Sequence, residues 1–317
     1  MTVLTWMRDK RWSFSVLGVA LLWGLLSVMT SHFNLNSLSG VASSASFLAI
    51  VAIGQMFVIA SGSGNIDLSI PSTITVSAFV TMILSHGTNA GLMLALPAIV
   101  VIGLVTGAAN AFLVLKLRIP AIIATLAVGY VLDSATLIAN RSLETFTVST
   151  LLRGITSAKL AGVPLILLLV LALIALTGGI LKSTAYGRSL MAVGQNMTAA
   201  HLAGARVGRT VTIAFLISGV LGALDGALLS AHAGGAFLQM GEPYLLQSVG
   251  AVVVGGTLIA GGSATALGTF FGSILLVLIV TTMQVSGWSP GMQQVVQGAI
   301  IIAILAAAGS GLSRRSA

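Results

Sequence analysis

The sequence predicts an all-α integral membrane protein with about ten transmembrane helices. Of its 317 residues, 57% are hydrophobic and only 6% are charged, and the mean hydropathy is +1.10. So few charges cannot cover the surface of a water-soluble domain. Many apolar runs approach the roughly 20 residues that a helix needs to cross a bilayer. The runs are continuous rather than alternating, which excludes a membrane β-barrel and leaves helices.

Ten apolar runs are the candidate spans, and we expect residues 1–317 to form one transmembrane domain. The first run, 13–31, follows a basic segment and is long for a signal peptide. No convincing cleavage site follows it, so we interpret it as a retained first helix. The centres of the runs lie near Leu22, Val51, Val76, Ile102, Val128, Leu171, Val220, Val252, Leu275 and Ile301.

The basic residues predict the orientation of the chain. With the N-terminus in the cytoplasm, eleven of the 14 Lys and Arg residues fall on the cytoplasmic side, and only Arg141, Arg153 and Lys159 fall outside. This asymmetry satisfies the positive-inside rule. An even number of spans then places the C-terminus, with Arg314 and Arg315, in the cytoplasm. Since the basic residues are scattered at the ends of apolar runs, the net charge of +8 indicates topology and no nucleic-acid partner.

Glycine is abundant, at 37 residues, and several glycines follow a small-xxx-small spacing. That spacing puts small residues on one helix side, so we expect neighbouring backbones to approach closely. The motifs are Gly103/Gly107/Ala111, Gly222/Gly226 and Gly268/Gly272.

Catalytic motifs are missing from the sequence. There is no cysteine, which excludes disulfides and thiolate chemistry. There is no Gly-Lys of a Walker A loop, no H-E-x-x-H and no G-x-S-x-G. The four histidines are isolated. We therefore expect no catalytic residue, no metal site and no cofactor bound by this chain.

Polar residues inside the apolar runs are the candidate solute contacts. Asp67 lies in G-S-G-N-I-D-L-S-I-P, residues 62–71, which cannot form a straight lipid-facing helix. The segment is either a tight turn with a capping Asp or a broken helix that lines the pathway. A similar Gly-rich break follows Val253, so the chain has either two related halves or a chance similarity. The candidate pathway residues are Gln55, Asn65, Asp67, Ser69, Asn110, Gln247 and Thr257.

One polar segment, Thr184–Arg209, interrupts the apolar runs on the predicted cytoplasmic side. It is rich in Ala and Gly and is bounded by arginines. A compact cytoplasmic segment of this kind indicates a docking site for another protein.

Four stretches, in order and spanning nearly the whole chain, resemble the permease subunits of bacterial ABC importers for monosaccharides of the ribose/xylose/galactose type. Residues 53–70 read I-G-Q-M-F-V-I-A-S-G-S-G-N-I-D-L-S-I, and residues 107–126 read G-A-A-N-A-F-L-V-L-K-L-R-I-P-A-I-I-A-T-L. Residues 186–204 read Y-G-R-S-L-M-A-V-G-Q-N-M-T-A-A-H-L-A-G and resemble the family's coupling loop. Residues 248–269 read S-V-G-A-V-V-V-G-G-T-L-I-A-G-G-S-A-T-A-L-G-T.

The resemblance implies a permease of the bacterial inner membrane, in contact with membrane lipid, that passes a solute inward. Its partners would be cytoplasmic ATP-binding subunits, which use the ATP, a periplasmic solute-binding protein, and a second permease in a homo- or heterodimer. Pro71, Asp133, Leu245 and Gln247 depart from the family pattern, so the solute stays open. The coupling-loop residues carried over are Gly187, Arg188, Gly194, Asn196, Ala199, Ala200 and Gly204.

Two other functions remain open on the residues alone. An ion-driven secondary transporter could use Asp67, Asp133 or Asp225 as a proton or sodium site. An intramembrane aspartyl hydrolase would need two of these carboxylates in one water-accessible site.

Overall fold

The computed structural model describes residues 12–30, 35–143 and 147–313, and this part of the chain is almost entirely helical. One hairpin of two short strands, β1 (Lys159–Leu160) and β2 (Val163–Pro164), interrupts the described helices. The helices are α1 Ser13–Thr30, α2 Leu35–Ala60, α3 Ile70–Ser85, α4 Leu92–Leu115, α5 Ala121–Arg141, α6 Thr150–Ser157, α7 Leu165–Ser183, α8 Ala185–Gln195, α9 Met197–Leu202, α10 Val207–Ala233, α11 Tyr244–Val254, α12 Ala266–Val285 and α13 Pro290–Ser313.

The multi-pass helical membrane fold is confirmed. Each of the ten predicted centres lies inside a helix. Six of the described helices, namely α2, α4, α5, α7, α10 and α12, are long and apolar enough to cross a membrane, and α1, α3 and α11 are shorter apolar helices. Ten spans and two cytoplasmic termini stay predictions. The terminal basic residues behind the second prediction, Arg8, Lys10, Arg11, Arg314 and Arg315, lie outside the described residues.

Helix α10 lies at the centre of the bundle, where it packs against α2, α3 and α4. Small residues permit these contacts. A Cβ built on Gly107 of α4 would overlap the carbonyl oxygen of Phe215, and one on Gly226 of α10 would overlap that of Ile74. The pair α11 and α12 shows the same contact, since a Cβ on Gly272 would overlap the carbonyl oxygen of Ala251. The predicted close packing is confirmed at all three motifs.

Two breaks in the helices, residues 61–69 and 255–265, pack against each other. The first separates α2 from α3 and the second separates α11 from α12. The amide of Gly262 donates a hydrogen bond of 3.0 Å to the carbonyl oxygen of Ala60. The φ angle of Gly261 is +89°, and a Cβ there would overlap the backbone of Gly62, so this contact requires glycine. The two breaks with similar sequences are therefore adjacent in the structure.

The absence of native cysteine permits a direct test of orientation. We expect Ala199→Cys, exposed in the segment 184–209, to react with a membrane-impermeant maleimide only from the cytoplasmic side. Leu160→Cys in the hairpin, where the native side chain is 65% exposed, should react only from the opposite side. Labelling of sealed spheroplasts and of inverted vesicles measures this. Labelling of Ala199→Cys from outside would contradict the topology.

Candidate functional site

The break between α2 and α3 is organised by the carboxylate of Asp67, which is only 2% exposed. Its Oδ1 accepts hydrogen bonds from the amide of Ser69 at 3.0 Å and from the Ser69 hydroxyl at 2.6 Å. The same atom accepts from Asn110 Nδ2 on α4 at 3.3 Å. Oδ2 accepts from the Ser218 hydroxyl on α10 at 2.7 Å. A buried carboxylate is tolerated only where such donors replace water.

Two further side chains satisfy the backbone of the break. Gln55 Oε1 on α2 accepts from the amide of Asp67 at 3.2 Å. Thr125 Oγ1 on α5 accepts from the amide of Leu68 at 3.0 Å. The break is therefore attached to α2, α4, α5 and α10 at once, and unpaired amides are avoided where water is scarce.

This geometry bears on the two interpretations of the Asp67 segment, although lining of the pathway stays a prediction. The segment is a buried break between two helices, and Asp67 also orders the start of α3 through the Ser69 amide. Pro71 lies in the first turn of α3, where its missing N–H costs nothing.

Four predicted pathway residues, namely Gln55, Asp67, Ser69 and Asn110, meet in this network, which we call the Asp67 network together with Ser218 and Thr125. Ser218 was missed because a lone serine in a span has no distinguishing pattern. Thr125 was also missed, although it lies in the second family-like stretch, which could have indicated it. The burial of the network inside one chain indicates a structural role, and its contact with a solute stays a prediction.

The other three predicted pathway residues lie apart from the Asp67 network. Asn65 Nδ2 donates to the Ser61 hydroxyl at 2.9 Å within the turn. Gln247 on α11 donates to Gln297 Oε1 on α13 at 2.9 Å. The Thr257 hydroxyl is buried in the second break and has no hydrogen-bond partner among the described residues.

The segment 184–209 forms two short helices, α8 and α9, each begun by a side-chain cap. The Thr184 hydroxyl accepts from the amide of Gly187 at 3.1 Å, and Asn196 Oδ1 accepts from the amide of Ala199 at 2.9 Å. These caps satisfy amides that a short helix leaves unpaired. The sequence-predicted coupling loop is therefore an ordered helical unit, here named the coupling segment.

One side of the coupling segment packs tightly onto the bundle. Gly187, Gly194 and Ala200 lie on this side and are buried. A Cβ on Gly187 would overlap the carbonyl oxygens of Ile180 and Leu181. A Cβ on Gly194 would overlap the Ala60 oxygen at the end of α2 and the Gly262 amide in the second break, and a Cβ on Gly62 in the first break would overlap the Gly194 backbone. Gly194 thus connects the coupling segment to both helix breaks.

The opposite side of the coupling segment is exposed. It presents Arg188, Asn196, Ala199 and Gly204, together with Leu202, whose side chain is 82% exposed. The exposed side is therefore accessible to another protein, and Leu202 offers it an apolar contact.

A cationic cavity of about 1010 Å³ adjoins the coupling segment, between the end of α4 and the start of α10. Lys116, Arg118, Arg206 and Arg209 line it, and no acidic residue does so among the described residues. The cavity therefore suits a partner that carries negative charge.

Asp225 lies in the middle of α10, fully buried, and neither of its oxygens has a hydrogen-bond partner among the described residues. It is seven residues from Ser218 on the same helix, roughly 10 Å along the axis, so Asp225 and the Asp67 network form two separate places. The described residues contain no group of three or more His, Asp or Glu side chains that could hold a metal ion.

Comparisons with known proteins agree with this architecture. A family model described as "Branched-chain amino acid transport system / permease component" matches residues 37–305. The chain belongs to this permease family. It is similar to the "Autoinducer 2 import system permease protein LsrC" of Klebsiella pneumoniae subsp. pneumoniae, with 31% identity over 95% of this chain and 87% of that protein.

Proteins of the same description from Enterobacter sp. and Yersinia pseudotuberculosis are each 28% identical to the chain. These matches cover 95% and 96% of this chain, and 87% and 86% of the respective relatives. No solved structure matches the chain. The ABC-importer permease family inferred from the four motifs is confirmed. Such permeases are not themselves enzymes and work with ATPase and binding-protein partners.

The Asp67 network makes a prediction about stability. Asp67→Ala removes the acceptor of four hydrogen bonds, which leaves buried donors unsatisfied at a cost of at least about 2 kcal/mol. We expect the detergent-solubilised variant to have a lower melting temperature than the wild type. Size-exclusion chromatography after heating to a series of temperatures measures it. Asp67→Asn should lie between Asp67→Ala and the wild type, because one acceptor oxygen remains.

The matched control is Ser134→Ala, an exposed residue whose hydroxyl bonds only within its own helix, to the Tyr130 carbonyl oxygen. It should melt like the wild type. A wild-type melting temperature for Asp67→Ala would show that the network is unimportant for the fold.

Proposed function

We propose that this chain is the transmembrane permease of an ABC importer in the bacterial inner membrane. It passes a small polar solute, a monosaccharide or a sugar-derived molecule, into the cell. The family membership, the named import permeases among its relatives and the two-sided coupling segment support this proposal.

The coupling segment is the observation that carries the proposal. Its exposed side, with Leu202, is available to a partner, and its buried side contacts both helix breaks through Gly194. A force applied to α9 by a separate ATPase would therefore pass through α8 to the backbone of both helix breaks. The chain needs no nucleotide site of its own for this role.

The partners follow from the same role. Cytoplasmic ATP-binding subunits bind the coupling segment, and a periplasmic protein delivers the solute to the opposite side. A second permease, identical or related, completes the membrane unit. The cationic cavity beside the coupling segment would attract an acidic surface of the ATPase. Its basic side chains have no acidic partner among the described residues that line the cavity.

A hydroxyl-rich solute fits the chain better than an amino acid. The Lys and Arg residues that the structure describes lie at the ends of spanning helices, in short helices or in connections. An amino acid brings a carboxylate that needs a cationic or multiple-donor partner in the low-dielectric interior. Neutral hydroxyls need only the acids, amides and hydroxyls that the helices present.

The docking role predicts a selective effect of charge on the exposed side of the coupling segment. We expect Leu202→Glu to reduce co-purification of the ATPase subunit, and ATP-driven uptake in proteoliposomes, at least about tenfold, because a charge replaces an apolar contact. Leu160→Glu, at a comparably exposed leucine in the hairpin, is the matched control and should do neither. Unchanged co-purification with Leu202→Glu, or uptake driven by a proton gradient without ATPase, would contradict the proposal.

A further inference from the structure

A second cavity, of about 300 Å³, opens between α3, α5 and the segment 234–243 that precedes α11. We propose that this cavity, here named the α5 cavity, is where the transported solute contacts the permease and that it selects for hydroxyl groups. The proposal rests on the proposed importer function. Each of the three elements contributes two polar side chains: Tyr130 and Asp133 from α5, Ser72 and Thr75 from α3, and Gln239 and Glu242 from the segment.

The position of Asp133 is the first argument. Asp133 lies about 12 Å from the nearer end of α5, close to the middle of a helix that is long and apolar enough to cross the membrane. Its side chain is exposed on the surface of the chain. Facing lipid there would cost about 3 kcal/mol on insertion scales, so this side of α5 must meet water, a solute or another subunit.

Glu242 brings a second carboxylate to the same cavity. The segment that carries it folds back onto the start of α3. The Gly241 amide donates to Thr75 Oγ1 at 3.1 Å, and a Cβ on Gly241 would overlap the carbonyl oxygen of Pro71. Glu242 therefore lines the same cavity as Asp133, and no basic side chain lines it among the described residues.

Ser72 points to a ligand independently of the acids. It is only 6% exposed, lines the α5 cavity, and its hydroxyl makes no hydrogen bond within the described parts of the chain. Gly129 faces it from α5, where a Cβ would lie 3.3 Å from Ser72 Oγ. The absence of a side chain at Gly129 thus leaves this hydroxyl open to the cavity.

The backbone of Gln239 adds a further sign of a specialised site. Its φ angle is +63°, in the left-handed region that favours glycine. A residue with a side chain is strained there by roughly 1 kcal/mol or more, and such strain is common at ligand-binding positions. The strained backbone places an amide side chain at the edge of the α5 cavity.

The chemistry of the lining defines the class of solute. Carboxylates accept hydrogen bonds strongly and donate none, while the Ser72 hydroxyl and the Gln239 amide can do both. The Thr75 hydroxyl is already engaged, since it donates to the Pro71 carbonyl oxygen and accepts from the Gly241 amide. Tyr130, which is 68% exposed, offers an aromatic ring beside them. A solute with several hydroxyl donors and an apolar ring side satisfies this set. A solute with a net negative charge would be repelled by Asp133 and Glu242.

Cysteine accessibility tests the α5 cavity without requiring transport. In the cysteine-free chain, Ser72→Cys should react with water-soluble thiosulfonates, and faster with a cationic reagent than with an anionic one of similar size. Adding Asp133→Asn and Glu242→Gln should reduce the ratio of the cationic to the anionic labelling rate at least about fivefold. Val131→Cys is the matched control. Val131 is at the same depth and 69% exposed, but lies about 160° around α5 from Asp133, so its cysteine should stay unreactive.

Protection by solutes is measured on the same variant in the assembled transporter. The probes are D-ribose, D-xylose, D-galactose and autoinducer 2, with L-leucine as the zwitterionic comparison, each at high millimolar concentration. At least one sugar-class probe should slow the labelling of Ser72→Cys, and L-leucine should not. Protection by L-leucine alone, protection by no probe, or an inert Ser72→Cys would each overturn the assignment. Because ATPase co-purification with Leu202→Glu is measured separately, failure of this inference is distinguishable from failure of the importer proposal.

Discussion

The carboxylate of Asp67 joins the break between α2 and α3 to α4 and α10 through buried hydrogen bonds. Ending α2 at Ala60 and starting α3 at Ile70 leaves backbone amides without helical partners in a region that water hardly reaches. Asp67, with Gln55 and Thr125, supplies the missing acceptors. Because these residues come from different helices, the break is stable only when α2, α4, α5 and α10 are all in place.

The coupling segment packs against the same region of the bundle. At the two helix breaks, the coupling segment meets the bundle directly, backbone against backbone. Gly194 brings α8 into backbone contact with both breaks, and caps at Thr184 and Asn196 keep the two short helices rigid. In the proposed importer, the ATPase would pull on the coupling segment, and the contact of Gly194 with the two helix breaks would pass this movement to the spans.

Polar groups in the bundle therefore have two separate roles. The polar groups of the Asp67 network are buried and hydrogen-bonded, and several of them accept hydrogen bonds from the backbone amides of the first break. Asp133 and Glu242 lie on the surface of the chain without a basic partner in the α5 cavity. Helix α3 joins the two regions, because it begins at the network and presents Ser72 to the cavity one turn later. Movement at the break would thus move one wall of the proposed solute site.

The sequence by itself determined the class of fold, the helix sides that permit close packing and the family. Long apolar runs, glycine spacing and four ordered motifs are local properties, and their physical consequences do not depend on distant residues. The division among the polar residues was decided only by the tertiary structure. Gln55, Asp67, Ser69 and Asn110 meet, whereas Asn65, Gln247 and Thr257 do not, although all seven look alike as polar groups in apolar runs. The rotation of each helix decides which partner a polar side chain meets, and Ser218, 151 positions from the Asp67 carboxylate to which it donates, has no local pattern that marks it.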